Sequence, residues 1–414
     1  MNTIKTKDKI EIKPGYKKTK VGLIPEDWEV KRLGEIGLPK MCKRIFKEQT
    51  NTNEGIPFYK IGTFGGVPDA FITKELFDEY KERYSFPKKG DILISAAGTI
   101  GRLVVYDGEP AYFQDSNIVW IDNNEELISN KLLYYIYSIV RWQKTEGGIV
   151  SRLYNSDLKK VKLPIPPLAE QKAIADCLST WDKGIEKLSA LIASKKEQKK
   201  GLMQGLFSGE LKVENGELVK VEDEKLWLKG WKEVKLGDIS IKKTSNIQSG
   251  LLIENSGKYN VYGASGFITK IDTYDEEKPY IGIVKDGSGV GNTFLLEGKS
   301  SVLSTLDKIL PKKNSNLVFL YSLIKKLNFE KYKVGGAIPH IYYKDYSKEK
   351  VLIPSIQEQT AIAEILQTAD KEIELLEQKL ESYKIQKKGL MQVLLTGTKR
   401  LVESGIVDSG IVDS

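Results

Sequence analysis

The chain has 414 residues, 40% hydrophobic and 29% charged, and its 64 Lys+Arg exceed its 56 Asp+Glu for a formal net charge of +8. That length allows two or three domains with cores of their own, and the charge leans toward a polyanionic partner without proving one. A single histidine nearly excludes histidine-based metal sites or triads, two cysteines (Cys42 and Cys177) cannot build a disulfide framework or a zinc site, and apolar runs such as "LVFLYSLI" at 317–324 are far too short to span a bilayer.

Residues 1–19 are lysine-rich and lack the apolar stretch of a secretory signal, so a flexible start and a cytoplasmic location are expected. A first domain is expected over 20–165. Its segments "MCKRIFKEQ" (41–49), "FPKKGDILISAAGTIGR" (86–102) and "GGIVSRLY" (147–154) combine basic residues, glycine turns and small polar donors. Lys and Arg neutralise phosphates, Arg, Asn, Gln and Ser read base edges, and glycine-rich turns let backbone N–H groups approach a phosphate. The candidate DNA contacts here are Lys43, Arg44, Lys47, Lys88, Lys89, Thr99, Arg102, Ser151, Arg152 and Tyr154. The plainer reading is tight turns between strands, with solvated surface charges.

A long helix is predicted over 166–209, since Pro166 and Pro167 punctuate its start and no proline follows within it. Apolar residues recur at spacings of 4 and 3: Ile174, Leu178, Trp181, Ile185, Leu188 and Ile192, continuing to Leu202 and Leu206. A charged linker is expected over 210–226, then a second domain over 227–354. Its candidate contacts come from "IKKTSNIQSG" (241–250), "VKDGSGVGN" (284–292) and "GGAIPHIYYKDY" (335–346): Lys242, Lys243, Lys285, Ser288, Asn292, His340, Tyr342, Tyr343 and Lys344. "GSGVG" is not a phosphate loop, because no Gly-Lys-Ser/Thr follows it, nor is it a credible dinucleotide fingerprint. A second helix over 355–399 carries Ile362, Leu366, Ala369, Ile373, Leu376, Leu380 and Tyr383 at the same spacings, continuing to Leu390 and Leu394. The low-complexity tail, 400–414, is expected to be disordered.

The chain repeats itself. At an offset of 188, residues 163–204 match 351–392 at 23 of 42 positions, and at 203 "WEVKRLGEI" (28–36) echoes "WKEVKLGDI" (231–239). A third echo pairs 147–166 with 335–354, whereas the domain bodies agree far less. A 3.5-residue apolar period over five heptads signals a coiled coil; the alternative is an amphipathic helix docked on a globular core. Each stripe must be buried, and the other copy is the nearest candidate. The expected fold class is therefore α+β: two mixed α/β domains held apart by a two-helix antiparallel coiled coil, related by a pseudo-twofold internal repeat. About 40 helical residues at ~1.5 Å each would span roughly 60 Å. B-DNA repeats every ~34 Å, so such a spacer suits two half-sites on one face of a duplex, and unlike domains imply unlike half-sites.

The opening "GYKKTKVGLIPEDWEVKRLGEI" (15–36), "GDILISAAGTIG" (90–101) and "LPIPPLAEQKAIADCLSTWDKGIEKL" (163–188), repeated in weaker form near the C-terminus, resemble the specificity subunit of type I restriction–modification systems. The resemblance covers roughly 15–400; Ser355 stands where the first copy has Pro167. It implies two target-recognition domains, each binding one half of a split double-stranded DNA sequence, and paired helices that fix the gap. It also implies two N6-adenine methyltransferase subunits and two ATP-dependent motor-nuclease subunits as partners. The chain would then be non-catalytic, with no cofactor or metal of its own; S-adenosylmethionine, ATP and Mg would belong to the partners. The sequence agrees in lacking an adenine-methylase Asn/Asp-Pro-Pro-Tyr/Phe motif, a Walker A loop and a convincing nuclease carboxylate cluster.

"QKKGLMQ" stands at 198–204 and again at 386–392. Core packing would demand only apolar character at Leu202 and Met203, or at Leu390 and Met391. Identity at Gln198, Lys199, Lys200, Gly201 and Gln204, and at Gln386, Lys387, Lys388, Gly389 and Gln392, suggests one partner bound twice. The alternative is that the helix ends at Lys200 with Gly201 as its cap. A rival from another class is a coiled-coil scaffold carrying two protein-binding modules. An autonomous nuclease or methylase is the third reading.

Overall fold

The computed structural model describes residues 14–142, 152–252, 257–402 and 405–408. The chain divides into two compact units: residues up to 187 together with those from 380 onward, and residues 188–379. Both boundaries fall inside a long helix, Leu168–Ser208 and Ile356–Leu394.

In the first unit a four-stranded antiparallel sheet runs in the order Gly37–Lys40, Ile118–Asn123, Ile92–Ser95, Leu103–Val105. Ile92–Ser95 is buried at every residue, which is why "ILIS" reads as a continuous apolar strand rather than an alternating one. A smaller sheet joins Phe71–Ile72, Ile56–Tyr59 and Tyr112–Phe113, the last pair parallel. A third pairing sets Glu29–Arg32 against Lys162–Ile165. The helix Asn130–Ile139 begins where the Ser129 side chain accepts a hydrogen bond from the Leu132 N–H.

The second unit has the same plan. Its four strands run Ser240–Thr244, Leu306–Pro311, Tyr280–Val284, Thr293–Leu296. Its three-stranded sheet again ends in a parallel pair, Tyr259–Gly263 with Ser301–Val302, and Lys232–Lys235 pairs with Lys350–Ile353. Asn316 caps the helix Leu317–Lys325. Bodies that share little sequence thus share strand order, parallel sense and capped helix.

Each long helix is fastened to its unit by the dipeptide Glu-Gln. In the first unit the Trp28 indole donates to buried Glu170 at 2.9 Å, and Gln171 donates to the carbonyls of Leu127 (2.8 Å) and Pro166 (3.0 Å). In the second, Trp231 donates to Glu358 at 3.1 Å, and Gln359 donates to the Pro354 carbonyl at 3.1 Å. Both glutamines also accept the backbone N–H of the short helix's cap residue, Ser129 or Asn316. The repeated glutamines answer backbone groups, and the repeated glutamates an indole N–H, that burial would otherwise leave unsatisfied.

The apolar stripes turn inward within each unit. Ile174 and Leu178 join a core with Trp28, Leu394 and Leu395; Leu206, Ile362 and Leu366 join one with Leu236 and Phe319. Leu188, Ile192 and Ile373 are buried, and Trp181, Ile185, Leu376, Leu380 and Tyr383 are partly buried. In the first unit the two helices meet through the Trp181 and Tyr383 rings (5.4 Å between centroids) and a Lys387–Asp182 ion pair. In the second they meet through Lys195–Glu372 at 2.7 Å, Lys196–Glu377 at 2.6 Å, and Lys199–Asp370.

Three segments differ from the sequence reading. Residues 210–226, expected as a plain linker, contain the hairpin Leu211–Glu214 with Glu217–Lys220. Asn215 and Gly216 have φ of 52° and 83°, the left-handed pair that a two-residue hairpin turn requires. The tail expected to be disordered from 400 holds the pairing of Lys399–Val402 with Gly405–Asp408. There Arg400 donates to Glu170 (2.7 Å) and Asp27 (2.7 Å), opposing charges that fix the strand. Within the expected flexible start, Tyr16–Thr19 pairs with Gly22–Pro25, and the Tyr16 hydroxyl donates to the Gly397 carbonyl at 2.7 Å.

Candidate nucleic-acid interface

In the first unit a glycine loop joins Ile92–Ser95 to Leu103–Val105. The Ser95 hydroxyl donates to the Thr99 carbonyl at 2.5 Å and accepts the Arg102 N–H at 2.8 Å, closing the loop on itself. Gly101 has φ 84°, and a Cβ there would lie 2.2 Å from the Trp142 ring, so only glycine fits. The segment carrying Arg152 lies alongside. The Leu153 N–H donates to the Ala96 carbonyl (2.8 Å), the Ala96 N–H to the Asn117 carbonyl (2.7 Å), and Arg152 bridges to Ala97.

The second unit repeats these bonds. The Ile341 N–H donates to the Lys285 carbonyl (3.0 Å), the Lys285 N–H to the Thr305 carbonyl (2.9 Å), and His340 bridges to Asp286. Arg152 and His340 therefore occupy equivalent places, as do exposed Tyr154 (52%) and Tyr342 (49%). Each crest is a glycine loop beside an extended segment, with unlike side chains on one backbone frame.

The side chains have distinct partners. The Arg152 guanidinium donates to the Ser116 carbonyl at 2.8 Å, and Ser116 is held at φ 52°. Arg102 donates to the Phe64 carbonyl at 2.7 Å, and Arg44 pairs with Asp115 at 2.8 Å. In the second unit His340 Nδ1 lies 2.7 Å from an Asp286 oxygen, and Lys285 Nζ lies 2.6 Å from the other. Partial burial would raise the Asp286 carboxyl, yet the hydrogen bonds from His340 and Lys285 outweigh it and hold it below the usual value. Beneath them Asp307 is buried and pushed upward by that burial.

Around the crests lie Thr99, Arg102, Arg152 and Tyr154 in one unit, with Arg44 joined through Asp115 next to Ser116, and Lys285, Ser288, Asn292, His340, Tyr342 and Lys344 in the other. Thr99, Ser288 and Asn292 are exposed, and Lys344 sits over the Tyr342 ring at 5.3 Å. Lys88 and Lys89 precede Ile92–Ser95 and so lie at the opposite end of that strand, where Lys88 approaches Asp122 at 3.8 Å. Lys43 and Lys47 are exposed, with Lys43 over the Tyr84 ring at 5.0 Å. Lys242 and Lys243 are exposed on an edge strand, and Lys243 is tied to Glu276 at 2.9 Å. Tyr343 does not present its hydroxyl to a ligand: it donates to the Ser240 carbonyl at 3.0 Å and its ring packs on Tyr346. Ser151 lies outside the described residues.

On the helices, Gln198, Lys200, Gly201, Gln204, Gln386, Lys388, Gly389 and Gln392 are exposed. Lys199 and Lys387 differ. Their side chains are 17% and 18% exposed and pair with Asp370 and Asp182, which gives this repeated lysine an internal partner. Both helices run without interruption through Gly201 and Gly389, so neither glycine is a cap.

Sequence reasoning passed over Asp286 and Ser116, which orient the crest side chains. The signal for Asp286 was present: aligning the repeats sets "KDG" opposite "AAG", beside the segments that carry His340 and Arg152. Ser116 acts through its backbone carbonyl, which no side-chain pattern reveals.

A family model described as "Type I restriction modification DNA specificity domain" matches residues 25–194 and 228–383. A Haemophilus influenzae protein, provisionally named as a type I restriction enzyme specificity subunit, is 59% identical over 167 residues, which is 40% of this chain and 43% of that protein. A Methanocaldococcus jannaschii protein, provisionally named as the MjaX specificity subunit, is 28% identical over 93% of this chain and 97% of its own length. The crystal structure of a type I S subunit from M. genitalium is similar in fold, with TM-score 0.59, 20% identity, and coverage of 89% of this chain and 96% of that one. With its two matched segments each spanning one crest and most of one long helix, the chain belongs to the family of type I restriction–modification DNA specificity subunits.

Proposed function

We propose that each unit is a target-recognition head, that each reads one half of an asymmetric, bipartite duplex sequence, and that the two long helices form an antiparallel coiled-coil spacer fixing the gap. The chain supplies specificity and no catalysis, as specificity subunits do by family. Two N6-adenine methyltransferase subunits, and two motor-nuclease subunits, assemble on it in the cytoplasm; S-adenosylmethionine, ATP and Mg reside in those partners.

The observation that carries this reading is the pair of crests, with equivalent backbone hydrogen bonds and different side chains. A common frame with exchanged side chains is what two readers of unlike sequences need, because base edges are told apart by donors and acceptors. The spacer is supported by the inward apolar stripes and by ion pairs between the helices in each unit. Docking of one partner twice is supported by the exposed, repeated Gln198, Lys200, Gln204 and their counterparts. Gly201 and Gly389 support it too, since open space lies where their side chains would be. A mid-helix glycine costs ~1 kcal/mol against alanine, and close approach of a partner backbone accounts for it.

The test is a head exchange. Replacing residues 25–160 with those of a relative, in the assembled methyltransferase complex, should change one half of the methylated sequence and leave the other. A change in both halves contradicts one head per half-site.

A further inference from the structure

The crests differ most sharply at one equivalent pair, Arg152 and His340. In the first unit the position opposite, Ala97, has no functional side chain, and Arg152 is steadied by a backbone carbonyl, that of Ser116, at 2.8 Å. A guanidinium carries five N–H donors and no acceptor. With one nitrogen engaged at Ser116, it presents only donors outward. In the second unit the position opposite is Asp286, and its carboxylate lies 2.7 Å from His340 Nδ1. An ionised carboxylate can only accept, and Lys285 at 2.6 Å keeps this one ionised. Facing an acceptor, Nδ1 carries the proton, and the tautomer this selects has Nε2 as its acceptor.

We infer that positions 152 and 340 are specificity-determining and read opposite hydrogen-bonding patterns. Arg152 takes a guanine edge, whose O6 and N7 both accept; His340 takes an exocyclic amino group, on adenine N6 or cytosine N4. Asp286 is a positioning residue that fixes the tautomer of His340. The neighbouring Tyr154 and Tyr342 are half exposed and flank the two positions alike, so the difference between the heads falls on the residue beside each tyrosine. This inference rests on the proposal that the crests face DNA, and it adds which residue selects and what each selects.

The experiment determines the methylated sequence produced by the full chain assembled with its methyltransferase subunit, for the wild type and for H340R, D286N and R152H. H340R should replace the amino-bearing base by guanine at a single position of one half. R152H should relax a guanine at a single position of the other. D286N, which keeps the shape of the site, should loosen the choice at the same position as H340R, because Nδ1 then no longer has to carry the proton. D286N reports on His340 even if H340R fails to fold. An unchanged sequence in H340R, R152H and D286N would overturn the inference. So would weaker methylation of all sequences alike, which marks a phosphate contact. If the wild-type sequence is not bipartite, the proposed function fails; if it is bipartite and indifferent to these variants, only this inference fails.

Discussion

Gln171 shows how much one side chain can fasten. It answers three backbone groups, the carbonyls of Leu127 and Pro166 and the N–H of Ser129, while itself 2% exposed. Gln171→Leu fills similar volume but abandons those groups, and should cost about 1–3 kcal/mol for each left buried without a partner, read as a lower urea midpoint. Lys199 and Lys387 pose a sharper question, because sequence identity suggested a docking surface and the structure pairs each with an aspartate. A double-mutant cycle on Lys199 and Asp370 should give a coupling of at least about 0.2–1 kcal/mol, the range for exposed ion pairs, because Lys199 is mostly covered. K199M should leave methyltransferase binding intact, whereas alanine at Gln198, Lys200 and Gln204 together should weaken it; the opposite outcome in a pull-down would return Lys199 to the docking surface. At this scale the sequence was legible where a side chain acts by type, as in the apolar stripe. It was not legible where a residue acts through geometry: Tyr343 looks like a stacking group and is spent on Ser240, and Asp286 looks like a loop acid and holds a histidine.

At the scale of elements, the hairpins at 211–220 and 399–408 were the chief omissions. "LKVENGELVK" carries a two-residue Asn-Gly turn between alternating strands, a sufficient local signal that the surrounding charge masked. The second hairpin lacks Asn-Gly and is held by a tertiary contact, Arg400 with Glu170 and Asp27, which no local pattern contains. Truncation after residue 398 removes that guanidinium and leaves Glu170, 5% exposed, with the Trp28 indole as its remaining partner among the described residues. The truncated chain should melt at a lower temperature than the full one, and an unchanged melting curve would mean the hairpin is ornamental to the first unit. The long helices were legible because their period survives for forty residues. Inserting one heptad into each adds ~10.5 Å at ~1.5 Å per residue, so the gap between half-sites should grow by about three base pairs at ~3.4 Å each. Methylation mapping that shows an unchanged gap would mean the helices do not set it.

For the molecule as a whole, a net charge of +8 acquires meaning only with the crests, where Arg102, Arg152 and Lys285 lie in or beside the glycine loops. Binding of the assembled complex should weaken linearly in log–log form with salt, and each phosphate contact removed, as by K344Q, should lower the slope by ~0.9. A slope indifferent to salt would assign the charge to solubility. The duplication was visible from the helices alone; the likeness of the heads was not, because strand order persists where side chains have diverged to read different bases. The most direct test of one head per half-site is to map modified adenines across the DNA of cells that carry the complete system. Two unlike short sequences separated by a fixed run of indifferent bases are predicted; a palindrome, or one uninterrupted sequence, would contradict the account.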